Sequence, residues 1–328
     1  MDKYEVYVDG QAGTTGLQIL DRLSAHPNVN VTLIPEEERR DEDERKRYLN
    51  KADVVFLCLP DQAAEEAVTL LDADNTKTRI IDASTAHRVH EHWVYGLPEL
   101  SSDRWDAITL STRVANPGCH ATAFLLCVMP LVKAGIIPAD YPLSCHSITG
   151  YSGGGKAMIA EYEDADRSRL YPDYDAPREY GLGQIHKHLP EMHTYSGLAY
   201  PPGFSPIVAD FPRGLAVFVP LAARLLRSPD SHAITPRAIV EYLTQYYAGS
   251  PIVSVMPYEG GDTCDGKAHV NAMACNGTDK AEIIVLGNGE RITLVCRLDN
   301  LGKGAGGAAI QNMNIMLGLP QETGLVLS

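Results

Sequence analysis

One cysteine of this chain lies at the kind of turn that activates a thiol. Cys119 directly follows the turn sequence Asn116-Pro117-Gly118 and directly precedes apolar residues with the spacing of an amphipathic helix. The first turn of a helix has N–H groups without intrahelical partners and carries the positive end of the dipole, so a thiolate is favoured there. A free thiol has a pKa of about 8.5, which such settings lower. Cys119 is therefore predicted to be a nucleophile, and the other six cysteines are interpreted as structural.

A second group of reactive residues lies in residues 184–193, where His186, His188 and Glu191 occur together. These side chains suit either a metal site or an acid–base histidine oriented by a carboxylate. Cysteine with histidine is the more economical pairing, because the histidine can move protons to and from the thiol. We expect His188, three residues before Glu191, to move the proton, with His186 as the alternative. No metal is expected, and a metal-dependent hydrolase is kept as an alternative that metal analysis would test.

A glycine-rich turn near the N-terminus predicts nucleotide binding. Residues 4–9 have the pattern of a strand, and Gly10, Gly13 and Gly16 follow it before a helical pattern begins. Glycines in such a turn let the backbone approach a pyrophosphate at a helix N-terminus. After a second predicted strand, residues 29–34, glutamates that would suit NAD are followed by Arg39 and Arg40, which would suit the 2′-phosphate of NADP. We favour NADP.

Strands alternate with helices through the first 118 residues, which predicts a doubly wound parallel sheet with ligands at the carboxyl ends of its strands. Residues 54–59 and 79–82 are predicted strands, and Pro60 and Ser84 lie just beyond them. Arg88 could hold a phosphate or carboxylate bidentately. Two further short strands are predicted at residues 107–110 and 112–114, ahead of Cys119.

The second half of the chain has a different pattern. A strand is predicted at residues 143–149, followed by a glycine-rich loop at 150–156. Further strands are predicted at 215–219, 252–255, 268–273, 281–286 and 291–298, with one helix at 235–247. This pattern indicates an antiparallel α+β domain large enough to carry a subunit interface. A glycine-rich loop at 299–307 then opens a final helix, residues 309–317, which is expected to return to the first domain. The predicted domains are residues 1–118 with 300–328, and residues 119–299.

Composition excludes several classes of partner. The chain has 328 residues, 45% of them hydrophobic and 21% charged, which suits a globular protein of two domains. The net charge of −14 argues against non-specific binding to nucleic acid or anionic membranes. No apolar run approaches the ~20 residues that span a bilayer, and the first residues lack a signal sequence. Seven cysteines without pairing motifs suit a reducing compartment, so we expect a cytoplasmic protein.

Taken together, these motifs resemble the short-chain N-acetyl-gamma-glutamyl-phosphate reductases, of the semialdehyde dehydrogenase superfamily. The resemblance covers nearly the whole chain and rests on residues 10–16, 82–88, 116–122, 150–156, 186–191 and 299–307. The Asn-Pro-Gly-Cys turn is shared with related families, whereas the His-x-His-x-x-Glu run is more specific. Lys187 stands where the family usually has arginine. Related aspartate-semialdehyde or acetyl-aminoadipate enzymes, and a non-catalytic nucleotide-binding regulator, are the alternatives.

The resemblance implies a Rossmann-like domain and a catalytic and dimerisation domain of the glyceraldehyde-3-phosphate dehydrogenase type. It implies reduction of N-acetyl-L-glutamyl 5-phosphate with NADPH, through a thioester on Cys119, by a homodimer or homotetramer. His188, oriented by Glu191, would give the proton, and Ser84 and Arg88 would take the phosphate. The candidate cofactor residues are Gly10, Gly13, Thr14, Thr15, Gly16, Arg39, Arg40, Pro60, Gly302 and Gly304. The candidate substrate residues are Ser84, Arg88, Asn116, Ser147, Ser152, Gly153 and Lys156.

Overall fold

The structure is a computed structural model that describes residues 3–228 and 234–328. The chain divides into two compact units. The first unit comprises Met1–Pro117 and Ala305–Val326, and the second comprises Gly118–Gly304 and Leu327–Ser328. Within the part of the chain that the structure describes, no helix has the length and apolarity needed to cross a membrane.

The strands of the described residues, in chain order, are β1 (Tyr4–Asp9), β2 (Val29–Thr32), β3 (Val54–Leu57), β4 (Arg79–Asp82), β5 (Val94–Tyr95), β6 (Arg113–Ala115), β7 (Ser144–Gly150), β8 (Arg178–Glu179), β9 (Gly203–Ala209), β10 (Leu215–Ala222), β11 (Val253–Val255), β12 (Ala281–Gly287) and β13 (Arg291–Leu298). The α-helices are α1 (Thr14–Ser24), α2 (Glu42–Lys51), α3 (Asp61–Thr69), α4 (Ser102–Leu110), α5 (Cys119–Lys133), α6 (Gly155–Tyr162), α7 (Arg167–Leu170), α8 (Leu189–Ser196), α9 (Pro236–Tyr246) and α10 (Gly307–Met316).

The first unit contains a six-stranded sheet in the order β2-β1-β3-β4-β6-β5, and all of its pairs are parallel. Successive strand residues face opposite sides, so each side needs its own apolar cover. Val6 and Val8 pack on one side with residues of α1 and α10. Tyr7 and Val55 pack on the other side with residues of α2 and α3. The predicted doubly wound parallel sheet is confirmed.

The chain order of this sheet reverses at β1, because β2 lies on one side of it and β3 on the other. In doubly wound sheets, ligands bind at the carboxyl ends of the strands at such a switch point. The glycine-rich turn follows β1, and Pro60 follows β3. The fold of the first unit therefore brings these two predicted ligand-binding segments to adjacent strand ends.

The second unit contains a seven-stranded sheet in the order β11-β12-β13-β10-β7-β9-β8. The predicted antiparallel pairing is present between β10 and β13, β12 and β13, and β10 and β7, but the sheet is mixed, since β7 pairs with β9, and β11 with β12, in parallel. Parallel neighbours need a crossover connection, and the helices α6, α7 and α8 lie in the segment between β7 and β9. That crossover carries the histidine motif. The strand β9 was not predicted.

The helix that begins at Cys119 is enclosed on all sides. It packs against α8, β10 and β13, and every residue from His120 to Leu131 is buried. The predicted helix is confirmed, but its predicted amphipathic character is wrong, because neighbours cover the whole circumference. Pro130 lies inside this helix and lacks the N–H that would bond the carbonyl of Leu126. The Tyr247 hydroxyl donates to that carbonyl instead, at 2.8 Å.

Two predicted strands are wrong. Residues 107–110 belong to α4, whose N-cap Ser101 accepts a hydrogen bond from the Arg104 N–H at 3.1 Å. That cap stabilises a helix and outweighs the short apolar run on which the strand was predicted. Residues 268–273 form a bend, an irregular segment and the start of a turn, and the Asn271 side chain accepts from the Met273 N–H at 2.9 Å. Such local side-chain bonds compete with sheet pairing.

The two glycine-rich stretches predicted as loops are largely helical. Tyr151–Gly154 forms a 3₁₀ helix that leads directly into α6. Gly302–Gly306 forms a π-helical turn that leads directly into α10. Glycine has a low intrinsic helix propensity, so composition alone favoured loops at both places.

Candidate active site

The turn before Cys119 is held by a residue from another element. Gly118 is extended, and its N–H donates to Oε2 of Glu191 at 3.0 Å. Glu191 lies in the first turn of α8 and is only 1% exposed. A carboxylate that accepts from a backbone N–H makes a strong, charge-assisted hydrogen bond. Glu191 therefore fixes the backbone that positions the Cys119 thiol, which the sequence did not indicate.

Gly304 lies directly against the candidate nucleophile. A Cβ added at this position would lie 2.7 Å from the Cβ of Cys119, which leaves no room for a side chain. The turn is shaped by Asp299, whose carbonyl accepts from the N–H groups of Gly302 and Gly304 at 3.0 Å each. Gly302 is also confined, since a Cβ there would lie 2.2 Å from the Thr278 carbonyl oxygen. Both glycines, predicted as cofactor residues, belong to the second unit.

Three histidine rings lie together in the second unit. The ring of His188 is 4.8 Å from that of His186 and 5.3 Å from that of His120, measured between centroids. The backbone N–H of His188 donates to Nδ1 of His186 at 3.1 Å. Because that nitrogen accepts, a neutral His186 carries its proton on Nε2. His188 is the N-cap of α8, a helix that packs on α5.

His120 was missed as a functional candidate, although it follows Cys119 directly. It is buried; its Nδ1 lies 2.8 Å from the Ser147 hydroxyl and its Nε2 lies 3.0 Å from the Tyr180 hydroxyl. Burial, followed by the charges of His186 and Lys187, lowers the pKa of His120 to about 3. His120 is therefore a neutral imidazole near pH 7. Its position next to the nucleophile was the signal that could have identified it.

Tyr180 was also missed, and no local pattern marks it. Burial, followed by the negative charge of the Cys119 thiolate, raises the pKa of its phenol. Tyr180 therefore keeps its proton, and its hydroxyl lies 3.0 Å from Nε2 of His120. Ser147, predicted as a substrate ligand, is fully buried and pairs with His120.

The ligand-type atoms of Cys119, His120 and His188 all lie within 4.8 Å of one another. The structure thus brings together the predicted nucleophile, Cys119, and the predicted proton donor, His188, which are 69 residues apart in the sequence. A thiol beside imidazoles can attack a carbonyl carbon while a histidine moves protons. The metal-ligand set considered from sequence, His186 with His188 and Glu191, differs from the three residues that cluster.

The first unit holds a cavity of about 480 Å³ at the ends of β1 and β3. Of the predicted cofactor residues, Gly10, Gly13, Arg39, Arg40 and Pro60 line it. Gly10 has a φ of +87°, and a Cβ there would lie 2.3 Å from the Cys58 carbonyl oxygen, so glycine is required. Thr14, Thr15 and Gly16 form the first turn of α1.

Arg45 also lines this cavity and was not predicted. Its guanidinium pairs with the Asp9 carboxylate at 2.7 Å, and both side chains are largely buried. Backbone N–H groups at a helix start, with arginines alongside, suit a pyrophosphate and a further phosphate. The residues of the cavity therefore fit an anionic dinucleotide.

Comparison with known proteins identifies the family. The model described as "Semialdehyde dehydrogenase, NAD binding domain" matches residues 5–108, and the model described as "Semialdehyde dehydrogenase, dimerisation domain" matches residues 119–300. An N-acetyl-gamma-glutamyl-phosphate reductase 2 of Nostoc sp. is 45% identical over 99% of this chain and 100% of its own length. The corresponding reductase of Brucella ovis is 46% identical over 96% of this chain and 99% of its own.

The chain belongs to the N-acetyl-gamma-glutamyl-phosphate reductase family. The family predicted from sequence is thereby confirmed. Among solved structures, aspartate semialdehyde dehydrogenase II of Vibrio cholerae, complexed with ASA, is similar with a TM-score of 0.68 at 15% identity, covering 97% of this chain and 99% of that one. The Candida albicans aspartate semialdehyde dehydrogenase with NADP has a TM-score of 0.64 at 14% identity, covering 96% and 99%. These likenesses show a shared fold.

Three of the predicted substrate residues, Ser84, Arg88 and Asn116, form hydrogen bonds within the first unit. The Ser84 hydroxyl donates to Asp82 at 2.7 Å, and Nε of Arg88 donates to the Asn116 carbonyl at 3.0 Å. The Asn116 side chain donates to the Ala305 carbonyl at 3.0 Å. It also accepts from Asn312 at 3.2 Å, a residue that the sequence did not indicate. All three predicted residues are buried.

The remaining predicted substrate residues of the chain lie around the start of α6. The Ser152 hydroxyl is buried and accepts from the Asn300 side chain at 3.0 Å. Gly153 and Lys156 are exposed. Asn300 thus joins the segment before Gly302–Gly306 to the segment before α6, a link between two stretches far apart in sequence.

Proposed function

We propose that the chain reduces N-acetyl-L-glutamyl 5-phosphate to N-acetyl-L-glutamate 5-semialdehyde with NADPH, in arginine biosynthesis. The observation that carries this proposal is the grouping of the Cys119 thiol with the imidazoles of His120 and His188, within 4.8 Å. The names of relatives that are 44–46% identical over 96–99% of the chain support the substrate. The aspartate-semialdehyde alternative is disfavoured, since those enzymes are only 13–16% identical.

The first step is acyl transfer to the enzyme. The Cys119 sulfur attacks the acyl carbon, a C–S bond forms, the C–O bond to phosphate breaks, and the thiol proton passes to the departing phosphate, so that inorganic phosphate leaves. N–H groups at the start of α5 would stabilise the oxyanion. Glu191 holds the Gly118 amide, so that this turn is fixed before substrate arrives.

The second step releases the aldehyde. When bound, NADPH would supply a hydride to the acyl carbon held on Cys119. The resulting tetrahedral oxyanion collapses to the aldehyde, the C–S bond breaks, and His188 donates its proton to the departing sulfur, so that the Cys119 thiol is regenerated. His120, whose two ring nitrogens lie beside the hydroxyls of Ser147 and Tyr180, stays neutral through this step. One acyl phosphate, one NADPH and one proton are consumed for each aldehyde, phosphate and NADP.

Residues 1–118 with 300–328 bind the dinucleotide, and residues 119–299 carry catalysis and assembly into a homo-oligomer, which the dimerisation-domain match supports. Arg39 and Arg40 hold the 2′-phosphate. Ser84 and Arg88 hold the substrate phosphate, and Asn116, Ser147, Ser152, Gly153 and Lys156 complete the substrate site. The seven cysteines favour a reducing, cytoplasmic location.

An NADPH-oxidation assay tests the proposed function. N-acetyl-L-glutamyl 5-phosphate should be reduced far faster than aspartyl or acetyl-aminoadipyl phosphate. Cys119→Ser should fold normally and lose nearly all turnover, whereas Cys145→Ser, at a buried thiol on β7, should keep it. Equal turnover with aspartyl phosphate, or an active Cys119→Ser variant, would contradict the proposal.

A further inference from the structure

The cluster that carries catalysis also has the composition of a metal site. We propose that Cys119, His120 and His188 bind one divalent cation of the zinc or cadmium type, and that this cation blocks the thiol. The donor atoms are a sulfur and two imidazole nitrogens, all within 4.8 Å of one another. Thiolate and imidazole are the ligands that such cations prefer.

The geometry requires only a small closure. Zinc binds sulfur at about 2.3 Å and imidazole nitrogen at about 2.0 Å in a tetrahedron, which separates ligand atoms by roughly 3.5 Å. The distances between the three ligand atoms, now up to 4.8 Å, therefore need to shorten by about 1 Å. Rotation about side-chain bonds can produce this change. With three protein ligands, a water molecule completes the tetrahedron, as in open zinc sites.

The elements that carry the ligands are already fixed. Cys119 and His120 begin α5, and His188 caps α8, which packs against α5. The hydrogen bond from Gly118 to Glu191, at 3.0 Å, ties the two helix starts together. Little backbone ordering is therefore needed on binding.

His120 has the outer support that metal-binding histidines usually have. Its two ring nitrogens lie 2.8 Å from the Ser147 hydroxyl and 3.0 Å from the Tyr180 hydroxyl. Binding exchanges one of these hydrogen bonds for a bond to the cation and keeps the other, which fixes the ring. The proposed set shares only His188 with the set His186, His188 and Glu191: a cysteine replaces the carboxylate, and His120 replaces His186.

The consequence for activity is inhibition. When the cation binds, the S–H bond of Cys119 breaks, a sulfur–metal bond forms and the proton passes to solvent. The metal-bound sulfur cannot attack an acyl phosphate, and an acylated Cys119 cannot bind the cation. This consequence rests on the proposed function, whereas binding of the cation does not.

Titration of the full-length protein with Co²⁺ tests the binding itself. Co²⁺ substitutes for zinc and gives a thiolate charge-transfer band together with visible d–d bands of tetrahedral sites. We expect both bands to saturate at one Co²⁺ per chain. Cys119→Ser should abolish the charge-transfer band. His120→Asn and His188→Asn should each weaken binding by more than the roughly 10–100-fold cost of losing a supporting partner.

The controls are a histidine and a cysteine of the same unit outside the cluster. His146→Asn, whose ring stacks on Phe218, and Cys145→Ser should bind Co²⁺ as the unaltered protein does. Circular dichroism identifies any variant that fails to fold, and the two histidine variants test the site independently. Absence of the bands at one equivalent, or undiminished bands in both histidine variants, overturns the proposed site.

A second measurement separates this proposal from the proposed function. Zn²⁺ should inhibit NADPH oxidation reversibly, EDTA should restore the rate, and acyl phosphate should protect against inhibition. Saturating Co²⁺ bands without any inhibition would uphold the metal site and contradict Cys119 as the nucleophile. Inhibition in the absence of the bands would contradict the metal site alone.

Discussion

At the scale of single residues, the site assigns different tasks to three neighbouring imidazoles. Burial keeps His120 neutral, and hydroxyl groups contact both of its ring nitrogens. His186 accepts a backbone N–H on Nδ1. These contacts suit positioning roles for His120 and His186. His188, whose ligand-type nitrogen lies within 4.8 Å of the Cys119 sulfur, is the best placed to donate a proton.

His188→Asn should lower kcat by about 10²–10⁴-fold, the usual contribution of general acid catalysis. KM for the acyl phosphate should change less, because the imidazole of His188 donates a proton during the reaction and is not proposed to bind the substrate. His186→Asn is the matched control and should keep most of its kcat. Steady-state kinetics of both variants decide the assignment, and a large loss of kcat in His186→Asn alone would reverse the two histidines.

The buried state of His120 predicts how stability depends on pH. The folded-state pKa of about 3 lies below the unfolded value of about 6.5, so the unfolded state binds the extra proton between these pH values. The free energy of unfolding should therefore fall as the pH is lowered from about 6.5, by up to about 1.4 kcal/mol per pH unit from this residue.

Urea denaturation between pH 6.5 and pH 4 measures how the free energy of unfolding depends on pH. This range lies between the unfolded pKa of about 6.5 and the folded pKa of about 3. His120→Gln should show a flatter dependence than the unaltered protein. Burial also lowers the pKa values of His26 and His146; these groups affect both proteins alike. Identical slopes in the two proteins would refute the contribution of His120.

At the scale of secondary-structure elements, several features that adjacent residues determine were predicted, whereas the parallel strand pairs of the second unit were not. β1, its glycine turn and α1, and the Thr235 cap of α9, depend on adjacent residues and were predicted. The parallel pairing of β7 with β9 depends on a crossover of some fifty residues, 151–202, which no local pattern shows.

The same distinction applies to the candidate site. Cys119 and His188 belong to short motifs and were found from them. Ser147 and Tyr180 pair with His120 only because β7 and the segment after β8 come to α5 in the folded chain. No residue spacing in the sequence indicates that these elements come into contact. The hydrogen bonds around His120 could therefore not be predicted.

The proline inside α5 gives a test at this scale. Tyr247→Phe removes the hydroxyl that donates to the Leu126 carbonyl and leaves that buried group without this partner. We expect a loss of about 1–3 kcal/mol in the free energy of unfolding, measured by urea denaturation. Tyr242→Phe is the matched control and should cost less, because the Pro130 carbonyl that its hydroxyl contacts also accepts from the Ala134 N–H. Equal losses in the free energy of unfolding for the two variants would show that Tyr247 does not stabilise the fold by donating to the carbonyl that Pro130 leaves without an N–H.

At the scale of the whole molecule, the protein and its proposed ligands carry the same sign of charge, since the chain is strongly negative and the ligands carry phosphates. The net charge of −14 repels phosphates at long range, and salt screens that repulsion. Affinity must therefore come from local cations, of which the first unit's cavity has Arg39, Arg40 and Arg45. Arg45 is already neutralised by Asp9 at 2.7 Å. Among the described residues, Arg39 forms an ion pair with the exposed Glu36, at 3.2 Å, and such surface pairs contribute at most about 1 kcal/mol.

Arg39 and Arg40 are therefore the charges that can turn to a 2′-phosphate. Replacing both with glutamine should raise KM for NADPH by at least about tenfold, since each charge-assisted hydrogen bond contributes about 1.5–3 kcal/mol. KM for NADH, which lacks the 2′-phosphate, should change far less. Initial rates with each cofactor at fixed ionic strength measure both effects.

A change in overall charge must be separated from the loss of a specific contact. Arg47→Gln is the matched control, because Arg47 is exposed on α2, pairs with Glu44 and does not line the cavity. If long-range charge governed cofactor affinity, this variant would raise KM for NADPH by about half as much as the double variant, and added salt would reduce both effects. If the cavity arginines hold the phosphate, Arg47→Gln leaves KM unchanged, and NADPH loses its advantage over NADH only in the double variant. Equal use of NADPH and NADH by the unaltered protein would contradict the assignment of the two arginines.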